Sequence, residues 1–104
     1  MAFRDRQKMI QALNTLQENG RRLLGGDVER EYQVWKTEVR TVARMIFGDG
    51  TSEYEDIDHG FWRYEEFVPI GTFTPISDYR KAVENVIDIL EGQTRALGYD
   101  LNSV

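Results

Sequence analysis

Residues 28–46 read VEREYQVWKTEVRTVARMI, and the spacing of their apolar members decides the fold. Val28, Tyr32, Trp35, Val39, Val42 and Ile46 step by 4, 3, 4, 3 and 4, which draws one apolar seam along a helix. Asp27 stands before the series as an N-cap, and Glu29 and Glu31 fill the first turn, where the helix dipole favours anions. Phe47-Gly48 ends it, and Asp49-Gly50 marks a turn.

The segments on either side repeat the pattern. Ala2 to Leu24 contains no proline and stops at Gly25-Gly26, with Ile10, Leu13, Leu16, Gly20 and Leu23 recurring at steps of three and four. The charged residues Arg4, Asp5, Arg6 and Lys8 predict solvated or frayed first turns. Thr74-Pro75 reads as the cap and first position of a third helix. Tyr79, Val83, Val86, Leu90 and Leu97 carry its stripe, Thr94 fills the gap, and Gly98 reads as a left-handed stop. Three amphipathic helices of about 20 residues predict a mainly α fold, a three-helix bundle formed by residues 1–104 as a single domain. Val34, Met45, Ile87 and Ile89 fall off the main stripes. They predict a second apolar edge and a homo-oligomer, with a dimer favoured.

Between the second and third helices the rhythm breaks. Tyr54, Phe61, Trp62, Tyr64, Phe67 and Phe73 are half of the protein's aromatic residues, and Glu53, Glu55, Asp56 and Asp58 form an acidic run. Phe61–Phe67 and Val68–Phe73 predict a short aromatic-rich hairpin or irregular connection packed on the helices. A connection of about 25 residues is long for a bundle, and long connections are often functional.

Composition narrows the function classes. Hydrophobic residues make up 40% and charged residues 30%, in the range of a globular domain. No apolar run approaches the length of a membrane span and no secretory leader is read, so a cytoplasmic protein without membrane association is expected. The absence of cysteine removes disulfides, thiolate metal sites and thiol catalysis. A net charge of −5 argues against general nucleic-acid binding, which draws on Lys and Arg for counterion release.

Searches for catalytic or metal chemistry return little. Read as a calcium loop from Asp49, the sequence puts Tyr54 where glycine is needed and Gly60 where glutamate is needed. His59 is the only histidine, too few for a zinc site, and no nucleophile is placed beside it. There is no phosphate loop, and Asp27 after Gly25-Gly26 repels phosphate at that helix start. No catalytic residue, metal or cofactor is assigned, and the chain is read as a non-enzyme.

One charge pattern remains. Lys36, Arg40 and Arg44 stand at i, i+4 and i+8 with no acidic residue three or four positions away in their helix. Three compensators are open: the acidic run Glu53 to Asp58 folded back along the helix, an acidic face of another subunit, or an anionic ligand. In the last case Lys36, Arg40 and Arg44 hold phosphate while Trp62 and Tyr64 stack on a base.

From Glu31 to Tyr54 the chain carries Glu-Tyr-Gln-Val-Trp-Lys, Val39, Ile46-Phe47-Gly48-Asp49, Ser52 and Tyr54, and later Ile89-Leu90-Glu91-Gly92. This resembles helical modules that precede TIR-like or nucleotide-binding effector domains in some bacterial anti-phage defence proteins. No effector follows within this chain. The resemblance implies defence biology, as an excised domain, a regulatory subunit, or a small phage protein that sequesters a nucleotide-derived immune signal. The expectation is a small non-enzymatic protein that binds an anionic, nucleotide-like ligand. Its alternative is an oligomeric protein–protein interaction module with Trp62 and Phe67 in the docking patch.

Overall fold

The structure, a computed structural model, describes residues 5–26, 28–65 and 76–102, and shows four helices. They are α1 (Arg6–Leu24), α2 (Val28–Ile46), α3 (Ser52–Glu65) and α4 (Ile76–Asn102). The mainly α class holds. The three-helix bundle does not: the connection expected to be a hairpin or irregular contains α3, and no strand occurs among the described residues.

The local chemistry of α3 explains its helix. Thr51 is the cap, its Oγ1 accepting from the Tyr54 backbone N–H at 3.2 Å, and Glu53 and Glu55 sit in the first turn. Tyr54, Ile57 and Phe61 then step by three and four and are all buried. The turn before it uses Gly48 at φ 90° and Gly50 at φ 81°, left-handed conformations that glycine adopts without strain. The second half of the expected hairpin, and the Thr74-Pro75 start of the last helix, lie outside the described residues.

α2 and α4 each touch the three other helices, while α1 and α3 occupy opposite flanks. Among the described residues of α2 the buried side chains are Tyr32, Trp35, Val39 and Ala43, with Val42 and Ile46 half-buried beside them. This row steps by 3, 4 and 4, closer to a straight 3.6-residue helix than to a strict heptad. Phe61 closes the centre, its ring edge-on to Tyr32 at 6.1 Å and to Trp35 at 5.8 Å between centroids. Burying each such side chain contributes about 1.5–3 kcal/mol.

Glycines set two close approaches. A Cβ on Gly20 would stand 2.7 Å from Trp35 Cζ2 and 3.0 Å from Ile87 Cδ1, and one on Gly60 would stand 2.7 Å from Ile89 Cδ1. Ile87, expected on a free second edge, is therefore packed in the core at the α1–α4 contact, and Ile89 is half-buried against it. Gly98 is no stop either, because α4 continues past it to Asn102. Asp5 caps the start of α1 by accepting from Gln7 N–H at 2.9 Å. Arg80 Nη1 donates to the Leu24 carbonyl at 2.6 Å, satisfying an orphan group where the dipole is negative.

Candidate functional site

The basic stripe runs along the seam between α2 and α3. These helices are antiparallel: Arg44 meets Tyr54, Arg40 meets Asp58 and Lys36 meets Phe61. Arg44 Nε donates to Asp49 Oδ1 at 2.8 Å, and its Nη2 donates to the Tyr54 hydroxyl at 3.1 Å. Arg40 Nε lies 3.3 Å from Asp58 Oδ1; both atoms are closed to solvent, and neither has an aligned hydrogen bond. Lys36 Nζ sits 5.6 Å from the centre of the Phe61 ring, within cation–π range.

Tyr54 serves both guanidinium groups, although its aligned hydrogen bond goes to Arg44. Its hydroxyl is the largest influence holding the Arg40 pKa above the ordinary value, with Asp58 assisting and burial opposing. For Arg44 the hydrogen bond to Asp49 comes first and Tyr54 second, again upward. Both interactions favour the cationic form of a side chain that is already effectively always protonated.

The acidic run thus supplies one of the three compensators, since Asp58 folds back onto Arg40. Asp49, from the turn, supplies a second carboxylate that the sequence reading left out of the run. An anion placed on Arg40 and Arg44 meets these two carboxylates at contact distance, and their repulsion opposes it.

Of the aromatic candidates, Trp62 lies on α3 one turn beyond Asp58, toward the Lys36 end of the seam, and remains 51% exposed. Tyr64 is also on α3, but its side chain lies outside the described part of the structure, as does Phe67. Lys36, Arg40 and Arg44 are therefore brought together on one seam, with Trp62 at its end. The signal for this arrangement was present in Tyr54-Ile57-Phe61, whose helical spacing predicts an α3 lying against α2.

Two surface grooves lie away from the seam. One, of about 540 Å³ between α3 and α4, is bordered by Asp56, His59, Asn85, Asp88 and Gly92. Asn85 Nδ2 donates to the Gly60 carbonyl at 3.3 Å across its floor. Among the described residues its lining holds no hydroxyl, thiol or amine nucleophile for His59 to activate. No group of three or more His, Asp or Glu side chains able to hold a metal occurs among the described residues. The other groove, of about 410 Å³, lies between α1 and α2 around Val34. No described helix is long and apolar enough to cross a membrane.

Comparison with protein-family models, with curated proteins and with solved structures finds no match to this chain.

Proposed function

We propose that the protein is a non-enzymatic interaction module that docks another protein on the outer face of α3, with Trp62 as the anchor. The observation that carries this is the contrast within α3: Tyr54, Ile57 and Phe61 are buried, while Trp62 keeps half its surface in solvent. The core closes without it. Tryptophan is among the side chains enriched at the residues that dominate protein interfaces. Glu55 and His59 stand on the same face, seven and three residues before Trp62, and both are exposed. That face offers a partner segment an apolar anchor with the Glu55 carboxylate two turns away. The resemblance of Glu31–Tyr54 to modules attached to defence effectors supports a role in protein contacts within phage–host conflict.

The test is affinity capture of the partner, followed by direct titration of the identified protein. Trp62→Ala is expected to weaken binding at least tenfold with helix content unchanged. A partner that binds Trp62→Ala as tightly as the original protein overturns the reading.

A second reading keeps sequestration of a nucleotide-derived immune signal. What supports it is the single row of Lys36, Arg40 and Arg44 with Trp62 at its Lys36 end. It requires the ligand to displace the Asp58 carboxylate from Arg40. Nucleotide-induced thermal stabilisation that Arg40→Ala abolishes is its signature.

A further inference from the structure

Val34 is the most exposed large hydrophobic side chain described, at 70%, and it borders the 410 Å³ groove between α1 and α2. Leu23 and Trp35, both nearly closed to solvent, form the apolar floor. The indole of Trp35 is fixed there, because its Nε1–H donates to the Leu16 carbonyl at 3.0 Å. The rims are charged with opposite signs. Arg22 stands on the α1 side, and Glu31 and Glu38 stand on the α2 side, three residues before and four after Val34.

Among the described residues these charges make few contacts. Among the described residues Arg22 and Glu31 make no side-chain hydrogen bond or ion pair, and Glu38 receives only a long 3.3 Å contact from Asn19 Nδ2. Met45, eleven residues after Val34 and half-buried, continues the same line along α2.

We infer that this groove is the interface of a two-fold homodimer. In a two-fold contact each residue pair occurs twice, so a groove that is basic on one rim and acidic on the other is its own complement. One copy's Val34 enters the other's groove over Leu23 and Trp35, and its Arg22 lies beside the other's Glu31 and Glu38. A second copy carries the required pattern by construction. The inference is independent of the Trp62 reading, whose docking face is on α3.

Sedimentation equilibrium tests it on the whole chain. The expected mass is twice 12.1 kDa at micromolar concentration. Val34→Asp and Arg22→Glu are each expected to weaken the dimer at least tenfold with circular dichroism unchanged, since both positions are exposed. Combining Arg22→Glu with Glu31→Arg and Glu38→Arg restores the dimer, because the swap preserves complementarity. Trp62→Ala leaves it intact. A protein that stays monomeric at millimolar concentration, or a dimer indifferent to both Val34→Asp and Arg22→Glu, overturns the inference.

Discussion

Arg40 Nε stands 3.3 Å from Asp58 Oδ1 across the seam between α2 and α3, with both atoms closed to solvent. The contact joins a cation without an acidic residue three or four positions away in its own helix to a carboxylate from α3, a helix whose first half has the acidic composition of a loop. The side chains are 38% and 29% exposed, so solvent screens much of the pair. Asp58→Ala is expected to cost about 1 kcal/mol, and the coupling with Arg40→Met to be about 1 kcal/mol or less and to shrink in salt. Urea unfolding of the double-mutant cycle measures both.

Gly20 and Gly92 predict opposite signs for one substitution. At Gly20 the new methyl meets a Trp35 ring atom at 2.7 Å, and that ring is held by its hydrogen bond to Leu16. Gly20→Ala is expected to destabilise by about 1–3 kcal/mol. At Gly92, in the middle of α4, nothing lies within 4 Å of the added methyl, so Gly92→Ala stabilises by up to about 1 kcal/mol. Denaturant midpoints of the two variants decide the matter.

Phe61 ties α3 to the centre through Tyr32 and Trp35. Phe61→Ala is expected to cost about 3–5 kcal/mol. Residue-resolved amide hydrogen exchange of the variant should show α3 less protected than in the original protein, because Phe61 is its contact to the Tyr32 and Trp35 rings.

Trp35→Phe removes the indole N–H that the Leu16 carbonyl accepts and leaves a smaller ring on the groove floor. The expected loss is about 1–3 kcal/mol, for a buried hydrogen bond plus imperfect filling. If the homodimer holds, its dissociation constant should rise as well, which sedimentation detects.

Where one stripe dominates, the sequence was legible. The Val28–Ile46 series and the Gly25-Gly26 stop fall where α2 and the end of α1 are found. The seam residues of α4 fall equally well, with Val83, Val86 and Leu90 fully buried. α3 was hidden because Glu53–Asp58 has the composition of a solvated loop and Phe61-Trp62 the composition of a strand. Among the described residues the buried hydrophobic side chains of α3 are Tyr54, Ile57 and Phe61, too few to outweigh composition. Ile87 was misplaced for a different reason: Gly20 lets α1 approach closely enough to cover a position off the main stripe. The basic stripe itself was visible at once. Its partners were not, because Asp58 and Tyr54 meet it only when α3 folds against α2.

The central claim is that Arg40 and Arg44 hold α3 in place and that Trp62 serves a protein partner. Calorimetric titration of the protein with nucleotides and cyclic dinucleotides at low salt tests it most directly. The account predicts no saturable heat from any of them. Saturable binding of one, abolished by Arg40→Ala while the helix content stays unchanged, would contradict it.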